Sequence, residues 1–401
     1  MKTIVPRPLF AEASSMVLQQ EDYFLLQPSV CQYLNEFPLG LNAKRDFEWA
    51  RFFLAQHTLS PGTYASYRGL VERLLLWSWI SCGKSIFDLD RDDFEDFLSF
   101  NLSPPPDWIG DAVRRRFLKK EEAWVFNDYW RPFYARAYWP SDEITGSLDA
   151  ASYKPSAGGL RTLLNICSSF YCFLYTKGVG NVNPVVSVRS KGIRIQRSYR
   201  LVARSLTSNQ WNYVVGAAEK LAIKDLAGER ALFILTAIYF MYLKATDLSS
   251  DEGALHTMGE FVLRNDEWRL ELEHPRRPTA RILVNPDFLP YLKRYRKSRG
   301  LSPLPLPGET SPLLQTIRGR PGLTNRQIRG IVKPIFRQAY QDMCKAGEPS
   351  SECAALLSAC LNSIRDTGAL AGSKAFSPQD LQRDLRNASV SYTYEKYYGC
   401  K

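Results

Sequence analysis

Residues 231–243 read ALFILTAIYFMYL, thirteen positions without one charged side chain. A helix that is apolar all round has to be buried. At about 1.5 Å per residue this one is too short to cross a bilayer. It must therefore sit inside a folded domain, with other elements packed around it. The chain is 401 residues long, more than one hydrophobic core comfortably serves, so two domains with extensions are expected.

Helical periodicity recurs in both halves. Leu59-Ser60-Pro61-Gly62-Thr63 supplies a cap and a proline ahead of a stripe formed by Tyr67, Leu70, Val71, Leu74 and Trp77, and Gly83 ends it. A short helix over Asp46–Gln56 precedes it and another over Asp92–Phe100 follows. A second stripe carries Leu160, Leu163, Leu164, Cys167, Phe170, Tyr171 and Leu174, and stops at Lys177-Gly178. Cys167 and Cys172 read as reduced core thiols. Between the stripes, residues 103–140 are rich in Pro and Trp and read as an insertion. Residues 1–45 read as irregular.

The second half opens on Leu206-Thr207, a capping position ahead of a helix to about Ala222. Trp268–Glu273 and Ala280–Val284 have strand character around the turn-like His274-Pro275-Arg276-Arg277-Pro278. Further helices are expected over Pro286–Arg299, Thr324–Lys345, Cys353–Asn362 and Pro378–Arg386. The fold class is mainly α with a small antiparallel β-sheet. The division is an N-terminal extension (1–45), a helical domain (46–186) holding the insertion, a basic linker (187–204) and a second domain (205–401).

The net charge of +11 favours a polyanionic partner. The linker concentrates it in Arg189, Lys191, Arg194, Arg197, Arg200 and Arg204. Eight cysteines occur without a CxxC pair, beside only three histidines, which speaks against a zinc site. No metal and no cofactor is expected. Residues 1–10 carry no apolar run of signal-peptide length, and no segment has some 20 apolar residues, so a soluble, cytoplasmic protein without membrane association is expected.

The order of these segments resembles the tyrosine recombinase (phage integrase) superfamily from about residue 46 onward. The carriers are LSPGTYASYRGLVERLLLWSWISCGKSIFDLDRDDFEDFL (59–98), GGLRTLLNICSSFYCFLYTKGVGNVNPVVSV (158–188), and four degenerate motifs in the second half. The resemblance implies a SAM-like helical core-binding domain and a catalytic-type domain, closing as a clamp on double-stranded DNA. It also implies metal-free transesterification, in which a tyrosine attacks a phosphodiester while arginine and histidine donors stabilise the growing charge. A β-turn lysine protonates the leaving oxygen.

Motif by motif, the chain departs from the family. Lys244 stands where the first arginine belongs, losing the planar fork. Arg276 or Arg277 falls at the β-turn lysine. Asn362-Ser363-Ile364-Arg365 matches the second arginine motif, with Arg365 kept and Asn362 in place of histidine. Arg386-Asn387 replaces the later Gly-His, so Asn387 also stands for a histidine. His274 is the last histidine in the chain. The family's nucleophile position, nine residues beyond Asn387, falls on Lys396 with Tyr394, Tyr397 and Tyr398 around it, and a one-residue slip makes Tyr397 the nucleophile. The motif positions for chemistry are thus Arg365, Lys244 and Tyr397. Phosphate contacts are expected from Arg189, Lys191, Arg194, Arg197, Arg200, Arg276, Arg277 and Arg365.

Plain structural roles stand beside these. Lys244 can cap the apolar helix, Arg365 can pair with Asp366 or Asp384, and the tyrosine cluster can be packing. The leading expectation is a DNA-binding, catalytically impaired recombinase relative serving a mobile element beside another recombinase or element protein. The alternatives are an active divergent recombinase using Tyr397, and a protein-interaction scaffold. Only three residues follow Tyr398, too few for the family's docking helix, so a monomer, or an assembly held by other surfaces such as the Trp-rich insertion, is expected.

Overall fold

The computed structural model describes residues 4–120, 123–134, 153, 155–180, 182–191, 205–275 and 277–399. The chain forms two compact units, Met1–Arg197 and Ser198–Lys401. Each has its own hydrophobic core.

In the first unit, α1 (Gln20–Leu26), α2 (Pro28–Leu34), α3 (Ala43–Ala55), α4 (Pro61–Trp77), α5 (Arg91–Leu102), α6 (Ala157–Thr176) and α7 (Pro184–Lys191) surround an aromatic core. Ser60 caps α4 at Thr63, and Gly83 ends its π-helical extension at φ +71°. The expectation of an irregular segment over 1–45 is corrected. Leu9 and Phe10 lie in the core, and their backbone N–H groups donate to the buried carboxylate of Glu72, at 2.7 and 3.3 Å. Tyr23 and Tyr64 donate to the carbonyls of Leu9 and Ala11. Seven-residue helices are too short to show a 3.6-residue period, so aromatic anchors rather than a stripe hold this segment.

The described part of the insertion, which ends at Tyr134, is also folded. β1 (Ile109–Gly110) pairs in parallel with β4 (Phe133–Tyr134), and β2 (Phe117–Lys120) pairs antiparallel with β3 (Ala123–Phe126). Trp108, Phe117, Trp130 and Phe133 bury against the helices. Of the two cysteines read as core, Cys167 is buried but Cys172 is exposed, because it falls off the apolar face of α6. The linker begins as helix, since α7 continues to Lys191 with Val188 buried.

In the second unit, α8 (Ser208–Ala222) and α9 (Leu226–Met241) lead into a three-stranded antiparallel sheet of β5 (Phe261–Arg264), β6 (Glu267–His274) and β7 (Arg277–Leu283). β5 is an addition to the two strands expected from sequence, although Asn265-Asp266, at φ +50° and +64°, is the short turn that joins β5 to β6. Then come α10 (Leu289–Ser298), α11 (Asn325–Lys345), α12 (Ser350–Ser358), α13 (Leu361–Gly372), α14 (Pro378–Leu385) and α15 (Val390–Tyr397). The single helix expected over Cys353–Asn362 is two, because Ala359 and Cys360 are extended between them. α9 is buried on nearly every side, as its composition requires. α13 lies directly on it. A Cβ on Gly368 would come within 2.1 Å of the Tyr239 carbonyl oxygen, so no larger residue allows this approach. Among the described residues no helix is long and apolar enough to cross a membrane.

Candidate functional site

The close seating of α13 on α9 fixes Arg365. Its Nε donates to the carbonyl of Tyr242 at 2.8 Å, just beyond the end of α9, and its Nη2 donates to the carbonyl of Leu385 at the end of α14. The side chain is half-buried. Tyr242 adopts a left-handed conformation (φ +52°) that turns the chain into Leu243 and the exposed Lys244. The backbone N–H of Lys244 donates to Oδ2 of Asp247 at 2.7 Å. That carboxylate also accepts from Nη2 of Arg386, which sits past α14 at φ +53°. Burial lowers the pKa of Arg386; Asp247 opposes that shift, while the nearby charge of Arg365 adds to it.

Three of the four degenerate motifs therefore meet around one guanidinium. Asn362 lies on the same helix as Arg365 but is exposed. Asn387 is turned to local structure: Nδ2 donates to Thr393 Oγ1 at 3.0 Å, and its carbonyl accepts from Gln382. Neither ion pair offered for Arg365 forms. Asp384 lies 3.7 Å from Arg383, and Asp366 accepts from Nζ of Lys396 at 2.7 Å.

The hydroxyl of Tyr397 donates to Oδ1 of Asp366 at 2.7 Å, and the residue is only 3% exposed. Burial first, and the adjacent carboxylate second, push its pKa well above the ordinary phenol value. The hydroxyl is thus shielded from solvent and its proton is held towards Asp366. Tyr394 is 54% exposed and stacks on Tyr398, their ring centroids 6.0 Å apart. Tyr398 donates to the carbonyl of Phe376.

The three histidines serve elsewhere. His57 packs 4.1 Å from the Tyr67 ring, Nδ1 of His256 lies 3.1 Å from both Glu260 oxygens, and His274 ends β6. Among the described residues no cluster of three or more His, Cys, Asp or Glu could hold a metal ion. Arg276, Arg194, Arg197, Arg200 and Arg204 lie outside the described residues. So do the side chains of Arg277, Arg189 and Lys191, whose backbones belong to β7 and α7.

The sequence places Asp247, Asp366, Arg386 and Lys396 in or beside the motifs but does not announce the Asp247–Arg386 and Asp366–Lys396 pairings. Asp247 carries the clearest signal, since it stands three residues after Lys244 in the same motif.

The fold has solved counterparts. XerH site-specific recombinase, bound to palindromic difH substrate in a post-cleavage complex, matches over 100% of this chain and 95% of its own, with TM-score 0.55 at 11% identity. The chain has the tyrosine-recombinase fold. A Tn1549 transposon integrase in complex with a circular intermediate DNA matches over 87% of this chain and 93% of its own, with TM-score 0.54 at 12% identity. No family model and no curated protein matches the sequence.

Proposed function

We propose that the protein binds duplex DNA on the recombinase fold without cutting it, as an accessory component of a mobile element. One observation carries the loss of chemistry: the motif tyrosine is buried and bonded to Asp366, while Arg365 spends two donors on main-chain carbonyls. A phosphoryl-transfer site needs donors directed at the phosphate instead. With both histidine positions occupied by Asn362 and Asn387, the remaining cations are Lys244, Arg365 and Arg386. These can grip a backbone phosphate, while the β-turn lysine position that would protonate the leaving oxygen is held by Arg276 or Arg277, whose guanidinium keeps its proton.

DNA binding is supported by the net charge of +11, by the arginine-rich stretch 189–204 and by the DNA-bound state of the XerH and Tn1549 integrase counterparts. Phosphate neutralisation makes such binding strongly salt-dependent. A gel-shift titration between 50 and 200 mM salt, concentrations over which such binding typically falls by roughly 10³–10⁵, tests this reading. Steep loss of affinity with salt supports it; no binding even at the lowest salt favours a protein-interaction scaffold.

A further inference from the structure

The first unit contains a cavity of about 1710 Å³, walled by α4, the first turns of α6 and the folded insertion. Six arginines line it: Arg68, Arg73, Arg114, Arg115, Arg116 and Arg131. Among the described lining residues the one carboxylate is Glu12. Glu12 lies 3.7 Å from Arg68, Asp111 pairs with Arg114, and Glu72 pairs with Arg116. Arg73, Arg115 and Arg131 have no carboxylate partner among the described residues.

Arg73 is the most constrained of the three. Its Nε donates to the Pro132 carbonyl at 2.9 Å, and its guanidinium lies 4.2 Å from the centroid of the Phe133 ring. Burial lowers its pKa, Tyr153 and Tyr134 oppose that shift, and the neighbouring charge of Arg116 adds to it. Arg73 is half-buried, and the Glu72 carboxylate beside it is already engaged by Arg116, so an anion entering the cavity adds a favourable partner for it. The space exceeds a single phosphate and is larger than the roughly 300–1,000 Å³ of ordinary small-molecule sites. Its wall also offers one exposed aromatic side chain, Trp124 at 38%, while Trp130 is buried beneath Arg116 and Tyr134 and Tyr153 complete the lining. Arginines beside open aromatic faces are the combination that holds unpaired nucleotides, with phosphates on the cations and bases stacked on the rings. Paired bases in a duplex are already stacked and have no free face.

We infer that this insertion-walled cavity binds an unpaired nucleotide, its phosphate held by Arg73, Arg115 and Arg131 and its base against Trp124. The ligand is a free nucleotide or an exposed nucleotide of a DNA strand. The strand form deepens the DNA reading above and rests on it.

The experiment uses the full chain and fluorescence anisotropy with three probes: a labelled 12-nucleotide oligothymidylate, ATP as competitor, and a blunt duplex. Arg115→Ser with Arg131→Ser is one variant. Trp124→Ala, at a part-exposed site, is a second that leaves the fold intact. Each is expected to weaken oligothymidylate binding roughly tenfold while duplex affinity stays within about twofold. Competition by ATP identifies a free nucleotide as a ligand; strand binding without competition identifies the strand. Failure of both probes to bind, or binding that neither variant weakens, overturns the inference. The duplex arm is read separately, so loss of duplex binding alone counts against the proposed function and not against the cavity.

Discussion

Oδ1 of Asp366 accepts two hydrogen bonds at 2.7 Å, one from the hydroxyl of Tyr397 and one from Nζ of Lys396. All three residues belong to α13 and α15, so this carboxylate fastens the last helix to the helix that carries Arg365. The same carboxylate holds the hydroxyl of Tyr397, the tyrosine one residue beyond the family's nucleophile spacing.

Replacing Tyr397 by Phe is therefore expected to act on stability alone. Removing one hydrogen bond to a charged group costs about 1.5–3 kcal/mol, and Lys396 still neutralises Asp366. Chemical unfolding should show that loss while duplex affinity is unchanged. Wild-type stability in the variant would mean that the hydroxyl bond contributes nothing.

Much of this fold is legible in the amino-acid sequence because burial leaves a periodic record. The stripes of α4 and α6 and the uninterrupted apolar run of α9 mark three core helices by pattern alone. The site is harder to read. Asp366 and Lys396 stand thirty residues apart in sequence, and nothing local marks them as partners. The extended pair Ala359-Cys360 splits α12 from α13 without a Gly or Pro to announce it. The order of the N-terminal segment comes from long-range bonds to Glu72 and from tyrosine hydroxyls, which leave no local pattern.

Asp46 should make the first unit more stable in mild acid. Its buried carboxylate accepts from Trp79 Nε1 at 2.9 Å, Ser85 Oγ at 2.7 Å and the Ile86 N–H at 2.9 Å. Burial nevertheless outweighs these bonds and pushes its pKa from 3.8 up to about 6. The folded state thus holds the proton more tightly than the unfolded state. Its contribution is full below pH 3.8, declines as pH rises towards 6, and is gone above that. The span is on the order of 3 kcal/mol. Unfolding followed by tryptophan fluorescence at pH 4 and pH 7 should show wild type losing stability relative to Asp46→Asn as pH rises. A constant difference between the two proteins would refute this.

The Arg116–Glu72 ion pair closes the first core. Glu72 is 1% exposed and anchors Leu9 and Phe10. Arg116→Met leaves a buried carboxylate uncompensated, at a cost of about 3–5 kcal/mol. The double variant Arg116→Met with Glu72→Gln is expected to recover part of that loss in thermal melts. An equal or larger loss in the double variant would argue that the pair is not coupled.

Phosphate contacts by the basic stretch should appear in the salt slope. Changing Arg194, Arg197 and Arg200 to Ala should flatten the dependence of log K on log salt by roughly one unit per lost contact. A parallel line of unchanged slope would place the contacts elsewhere.

The central claim is that this recombinase fold binds DNA without cleaving it. Each missing transition-state donor typically costs on the order of 10²–10³ in rate, and these losses combine less than additively because the donors act as a unit. The direct measurement is incubation of the full chain with a nicked suicide duplex carrying its native target, followed by denaturing electrophoresis. Wild type and the Tyr394→Phe, Tyr397→Phe and Tyr398→Phe variants are run side by side. The account predicts retarded DNA in a native gel and no covalent protein–DNA adduct from any of the four. A wild-type adduct abolished by Tyr397→Phe alone would contradict it, and would mean that Tyr397 leaves Asp366 to attack the phosphate.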